Sequence, residues 1–242
     1  MSGKIHGQVA LISGAASPIG SAIARALSTL GAQLVLADIT AIEEFPDAQW
    51  VVGDLSQEET ALSFIHTAEE KFGRADILIN NAGGGIIRPF LEHDAASLRA
   101  TVDRNLWTAL WACHKALPGM VRRNYGRIIN IGADSVRNGL ADHAGYNAAK
   151  GGVHGLTTGL AREFAKLDIT VNTVAPCMVN TPYVAAELAR QNPFIEKFLT
   201  VIPKGRPGEM HEIASMVAYL ALPEAAFVTG QVISVNGGST ML

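Results

Sequence analysis

Apolar residues along this chain alternate between two rhythms. Short runs rich in Val, Ile and Leu fall at 8–13, 33–37, 50–52, 76–79, 126–131, 169–174 and 231–235, and such runs bounded by turn residues predict buried strands. Between them lie longer amphipathic stretches that predict helices at 22–30, 57–72, 97–123, 151–166 and 209–222. In 151–166, Val153, Leu156, Leu160 and Phe164 recur three and four apart with no proline between them, the spacing of one helix face. Strands alternating with helices imply a parallel sheet covered on both faces, joined by right-handed crossovers. The stretch 178–208 breaks the rhythm. It carries Pro182, Pro193, Pro203 and Pro207 and predicts a long irregular region, which in a compact domain is usually functional or mobile.

The turns sharpen this. The first apolar run ends in Gly14-Ala15-Ala16-Ser17-Pro18-Ile19-Gly20. A strand, a glycine-containing turn and a helix in that order aim backbone N–H groups and a helix N-terminus at a phosphate. The second run ends at Asp38, 24 positions past Gly14. A carboxylate there accepts from both ribose hydroxyls of an adenosine and repels a 2′-phosphate. No Lys or Arg follows in Ile39-Thr40, so NAD is favoured over NADP. After the fourth run, Asn80-Asn81-Ala82-Gly83-Gly84-Gly85 permits close ligand approach at the carboxyl edge of the sheet. The fold class expected is therefore α/β: a single Rossmann-type, doubly wound domain over 1–242, with about seven parallel strands and helices on both faces.

Composition narrows the classes. Hydrophobic residues make up 48% and charged residues 17%, enough for a sizeable core without staples. The 19 Lys and Arg against 22 Asp and Glu leave a net charge of −3, which offers no basic patch for nucleic acid or anionic membrane. Cys113 and Cys177 are far apart and show neither metal spacing nor a disulfide framework, so no metal is expected and a reducing compartment fits. Residues 1–7 lack an apolar signal segment and no run of about 18 apolar residues occurs. The chain reads as soluble and cytoplasmic.

Candidate chemistry centres on Gly145-Tyr146-Asn147-Ala148-Ala149-Lys150. Tyr146 and Lys150, four apart, share a helix face. A phenol of ordinary pKa, about 10, is a poor base. An adjacent ammonium favours the phenolate and is expected to lower that value, which suits proton transfer to or from an alcohol or carbonyl oxygen. Asn105, inside a predicted helix, is mildly unfavourable there and is either solvent-facing or a polar group with a task.

In order and spacing, these residues resemble the short-chain dehydrogenase/reductase family over essentially the whole length. The glycine turn, Asp38, Asp54-Leu55, Asn80-Asn81-Ala82-Gly83, Asn105, the strand 126–131, Tyr146 with Lys150, Val171-Asn172, Pro176, Thr181 and Asn236-Gly237-Gly238 carry the match. The resemblance implies Tyr146 as acid/base. Lys150 would lower its pKa and hold the nicotinamide ribose, and Asn105 would anchor a water in a proton relay. It implies a cofactor cradle of Gly14, Ser17, Ile19, Gly20, Asp38, Asn81, Ala82, Gly83 and Pro176. Asp54 and Leu55 would meet adenine, Asn81 the adenosine ribose, and Val179 and Thr181 the nicotinamide end.

Three positions depart from the family pattern. Pro18 replaces the middle glycine of the turn and has no N–H to offer. It suits the first turn of a helix capped by Ser17, so Ile19 and its neighbours are expected to hold the pyrophosphate. The serine expected thirteen residues before Tyr146 is Ala133. Ser135, two residues on, is the replacement on a shared face, with Asp134 or the backbone as alternatives. Cys177 follows Pro176 where the family has glycine, read as a packing change rather than a redox-sensing thiol. Cys113 reads as core.

Substrate contacts are expected from Ile86, Ile87, Arg88, Leu140, His143, Met178, Tyr183, Leu188, Phe194 and Phe198. This largely apolar set suits a ring or acyl group. The stretches 83–90 and 106–114 resemble those of dehydrogenases acting on cis-dihydrodiols of aromatic acids. That implies oxidation of a cis-diol-bearing cyclohexadiene to a catechol, with Arg88 meeting a carboxylate. The alternatives are a 3-oxoacyl-thioester ketoreductase and a catalytically degenerate NAD-binding sensor or scaffold. Apolar helices after Asn105 and Tyr146 pair across subunits in relatives, which implies a homotetramer, with a dimer second.

Overall fold

The computed structural model describes residues 4–241. Seven strands form one sheet: β1 (Val9–Ser13), β2 (Gln33–Asp38), β3 (Gln49–Val52), β4 (Ile77–Asn80), β5 (Gly126–Ile131), β6 (Ile169–Pro176) and β7 (Val232–Val235). Their order is β3-β2-β1-β4-β5-β6-β7, and every pairing is parallel. Ala10 stands beside Leu34 on one side and Ile77 on the other. The connection from β1 runs outward to β2, whereas β4 returns to the other side of β1. The chain therefore reverses direction across the sheet between β1 and β4, and ligands of such sheets bind at the carboxyl end of that crevice.

The central strands are buried on both faces. Ala10, Ile12, Leu36, Ile79 and Ile129 face one layer, built by α1 (Pro18–Thr29) and α9 (Met210–Ala221) through Ile23, Leu27, Ile213 and Val217. Leu11, Val35, Leu78, Ile128 and Val171 face the other. That layer holds α2 (Glu58–Phe72), α4 (Thr108–Arg123) and α6 (Ala144–Glu163), with Phe64, Ile65, Met120 and Ala161 in the core. This period-two division lets continuous apolar strands fill two cores at once.

Three expectations change in detail. The helix expected at 151–166 begins at Ala144, so Tyr146 and Lys150 lie inside its first two turns. The stretch 97–123, expected as one or two helices, is two, α3 (Ala95–Val102) and α4, with a π-helical turn between them, Asp103–Trp107, which contains Asn105. The region 178–208 is not irregular throughout: it holds α7 (Pro182–Ala189) and α8 (Pro193–Leu199). Thr181 and Asn192 cap them, and Pro182 and Pro193 open them. Proline without an N–H suits the first helical position, where that donor has no partner anyway. Among the described residues, no helix is long and apolar enough to cross a membrane.

Candidate active site

At the crevice the glycine turn packs directly on the loop after β4. Gly14 adopts φ +64°, and a Cβ there would fall 2.8 Å from the Ala82 backbone. A Cβ on Gly20 would fall 2.2 Å from the Gly14 carbonyl oxygen. The Ser17 hydroxyl donates to Gly14 O at 2.7 Å and accepts from Gly20 N at 3.1 Å, capping α1. The Asn81 amide reaches Ser13 O, Gly14 O and Ser17 Oγ at 2.8–3.1 Å. Asn81 thus sets the shape of the turn with its side chain. Asp38, at the end of β2, accepts from Ala16 N at 2.9 Å and Ile39 N at 2.7 Å. Among the described residues, the Ile19 N–H has no acceptor, while Ala15, Ala16, Ser17 and Gly20 are all engaged.

A cavity of about 760 Å³ opens here, lined by Ser17, Pro18, Ile19, Asn81 and Gly83 at one end and by Tyr146, Lys150, Ala133 and Ser135 in the middle. Gly83 keeps the centre clear, because a Cβ there would lie 2.7 Å from Asn105 Oδ1 and 3.1 Å from Lys150 Nζ. Space for a cofactor is thus held open beside an ammonium and a fixed amide, with a free helix-terminal N–H at the far end. The residues present fit a dinucleotide.

Burial dominates the electrostatics. It pushes the Tyr146 phenol up to about 12 and the Lys150 ammonium down to about 8. The lowered Tyr146 pKa expected from the four-residue spacing is therefore not a property of this pair alone. Lys150 Nζ lies 6.0 Å from the Tyr146 ring centre and donates instead to Ile131 O at 2.8 Å, and dry surroundings disfavour both charged forms. Asn105 donates to Gly84 O at 2.9 Å and Thr101 O at 2.8 Å, and accepts from Gly84 N at 3.1 Å. It pins the glycine loop to the π-helical turn. Beneath, a buried polar chain runs from Asn80 to Asn130 at 2.8 Å, to Thr157 at 2.9 Å, and to Thr173 at 2.6 Å. It fixes α6 to the sheet.

The family model described as enoyl-(acyl carrier protein) reductase matches residues 14–240. The chain belongs to the short-chain dehydrogenase/reductase family. It is 58% identical to 2,3-dihydroxy-2,3-dihydro-p-cumate dehydrogenase of Pseudomonas putida, covering 98% of this chain and 96% of that one. It is 37% identical to the 3-oxoacyl-(acyl-carrier-protein) reductase FabG of Vibrio cholerae, over 99% and 100%. Among solved structures, levodione reductase superposes with a TM-score of 0.88 at 31% identity, over 97% and 98% of the chains. A putative gluconate dehydrogenase from Agrobacterium tumefaciens gives 0.91 at 29%, over the whole of both.

Against that short-chain dehydrogenase background the departures acquire places. Pro18 is the first residue of α1, where it costs no hydrogen bond. Ala133 and Ser135 both line the cavity, and the Ser135 hydroxyl donates to Asn147 Oδ1 at 2.6 Å. Cys177 is half-buried on the wall beside Met178, and Cys113 is core. Pro176, Val179 and Thr181 also line the cavity, Thr181 while capping α7. Of the expected substrate contacts, Ile87, Leu140, His143, Met178, Tyr183, Phe194 and Phe198 are on the wall.

Ile86, Arg88 and Leu188 are not. Arg88 is exposed; its backbone N–H donates to Asp142 O, and its charge sits beside Asp94. Ile87 lies over Gly85 and enters the cavity, while its two neighbours stay outside it. Asp54 and Leu55 lie outside this cavity as well. Asp54 accepts from Ser56 N at 2.9 Å, and the Leu55 side chain is core.

Three residues carried no pattern that sequence reading could use. Asn147 is polar beside Tyr146, with nothing to mark its partner. His154, one turn past Lys150, is held down at about 4, chiefly by burial and then by the charges of Arg137 and Lys150. It packs on Gly132, where a Cβ would fall 2.4 Å from Nε2. Asp134 is fully buried and gathers Ser234, Asn236 and Thr240 at 3.0 Å, Asn138 at 3.3 Å, and Ser239. It ties the C-terminal segment to the loop that carries Ser135.

Proposed function

We propose that this oxidoreductase oxidises a cis-dihydrodiol of an aromatic ring, with NAD as acceptor. The observation that carries the reading is one cavity in which Tyr146, Lys150 and Ser135 face an aromatic wall of His143, Phe194 and Phe198. The 58% identity to a dihydrodiol dehydrogenase supports it. Tyr146 takes the proton of the reacting hydroxyl. Lys150 supplies the positive charge that favours the phenolate form of Tyr146, the form able to take that proton, and a donor for the nicotinamide ribose. Ser135 holds the reacting oxygen by turning its hydroxyl proton from Asn147 to the substrate. Asn105 pins the Gly83–Gly85 loop in place beside the reacting centre. When bound, the nicotinamide would supply the hydride acceptor for the carbinol carbon; the hydroxyketone left behind would tautomerise to an aromatic catechol, which would draw the reaction forward. Asp38 supports NAD over NADP, since a 2′-phosphate would meet its carboxylate. Ile19 is the donor left for the pyrophosphate.

The test is NADH formation over a panel of cis-dihydrodiols, 3-hydroxyacyl thioesters and simple secondary alcohols. Turnover of the diols above the others is expected, and no turnover of any diol would sink the reading. Reduction of a 3-oxoacyl thioester is the second reading, favoured by the 37% identity to FabG; the preference for NAD speaks for oxidation. We propose action in a reducing, cytoplasmic setting, which the two free cysteines suit. We also propose a homotetramer, with a dimer as the second reading. The Trp107–Trp111 stack at 5.3 Å, with Trp107 40% exposed, supports a buried subunit contact there.

A further inference from the structure

We propose that His143 reads the second hydroxyl of a vicinal cis-diol. The inference rests on the dihydrodiol reading above and assigns the part of the substrate that Tyr146 does not touch.

His143 stands three residues before Tyr146, on the wall of the same cavity. Its Nδ1 lies 2.6 Å from the Ala141 carbonyl oxygen. A carbonyl only accepts, so Nδ1 carries the proton and, in the neutral ring, Nε2 holds the free lone pair. The ring is clamped on two sides. Tyr146 is 6.1 Å away and Phe198 5.4 Å, both with planes inclined at 71°. Phe198 is itself packed edge-to-face on Phe194 at 4.7 Å. Tautomer and orientation are therefore both set before any ligand arrives.

The other polar side chains on the wall are committed or turned away. Ser135 donates to Asn147, Lys150 to Ile131 O, and Asn81 to the glycine turn, while Thr181 caps α7. Tyr183 is 68% exposed. Ile87, Leu140 and Met178 offer no strong acceptor. Among the described residues, His143 Nε2 has no partner, and with the Ser135 and Tyr146 oxygens given to the reacting hydroxyl it is the strong side-chain acceptor left on the wall for a second one.

A cis-diol needs two partners. One hydroxyl gives its proton to Tyr146 while its neighbour, held gauche, donates to Nε2. A mono-alcohol lacks the second donor and forgoes the hydrogen bond to Nε2.

The experiment compares binding of catechol and phenol to the NAD-loaded protein by calorimetry. Wild type is expected to favour catechol by roughly tenfold, the worth of one neutral hydrogen bond. His143→Phe keeps the aromatic packing and removes the acceptor, so the ratio should fall towards one. His143→Gln keeps an acceptor and should retain part of it. Melting curves check folding, and His143→Leu replaces the Phe variant if that one does not fold. Equal binding of the two ligands by wild type, or an undiminished preference in His143→Phe, overturns the proposal. If wild type oxidises cis-dihydrodiols while that preference survives, this assignment alone falls. If wild type oxidises none, the parent reading falls with it.

Discussion

The Ser135 hydroxyl donates to the Asn147 carboxamide oxygen across 2.6 Å, joining the loop after β5 to the first turn of the helix that carries Tyr146. The residue thirteen before Tyr146 is Ala133, Ser135 carries the hydroxyl nearest to it in sequence, and Asn147 fixes where that oxygen points. Ser135→Ala should lower kcat by about 10²-fold, the worth of one oxyanion donor, with the KM for NAD unchanged. Asn147→Ala should cost less, because the hydroxyl remains and only its aim is lost. Steady-state kinetics check both. An unchanged kcat in Ser135→Ala would remove the role and return it to Asp134 or the backbone.

Lys150 is buried where its charge is disfavoured. Its folded pKa, about 8, lies below the ordinary lysine value of 10.5. The unfolded chain therefore binds more protons between those values, and this group makes stability rise with pH from 8 to 10.5. Lys150→Met should abolish turnover yet stabilise the protein at pH 7 by roughly 1–2 kcal/mol, part of the gain being offset by the unpaired Ile131 carbonyl. Chemical denaturation at pH 7 and pH 10 measures it. A destabilised variant at pH 7 contradicts the argument.

His154 behaves in the same sense at lower pH. Its folded pKa of about 4 lies below the ordinary 6.5. The stability it allows is complete above pH 6.5 and is lost as the pH falls towards 4. Removing the titrating group should flatten that acid limb. Melting temperatures of wild type and His154→Gln between pH 4 and 7 provide the comparison, and parallel curves would refute it.

Asp134 collects five side-chain donors, four of them from β7 and the segment after it. Asp134→Ala leaves these donors unpaired and should cost about 2–4 kcal/mol. Truncation after Gly238 removes two of the donors and should cost less, while lowering kcat through the displaced Ser135. Denaturation and kinetics on both variants decide it. Full stability in Asp134→Ala would show that the cluster contributes little.

Asp38 accepts from Ala16 and Ile39 at the end of β2, and the proposed function sets the adenosine ribose against it. Asp38→Ala should weaken NAD binding by about tenfold, the worth of one charged hydrogen bond, and bind NADP better than wild type does. Titration with both dinucleotides tests this. An unchanged NAD:NADP ratio would contradict it.

The sequence by itself determined the alternation of strands and helices, the seven-stranded parallel sheet, and the local pieces of the site: Ser17 ahead of Pro18, Asp38 at a strand end, and Tyr146 one turn from Lys150. These are legible because each depends on neighbours a few residues away, through helix or strand period and turn chemistry. Tertiary structure decided what depends on solvent and on distant partners. Burial, not the nearby ammonium, sets the Tyr146 pKa in this protein, because desolvation acts on both groups through everything packed around them. Ile87 rather than Ile86 or Arg88 faces the cavity, because the twist of one short segment chooses. Asp134 meets Ser234 and Thr240 from about a hundred residues away, a meeting that no period in the chain encodes.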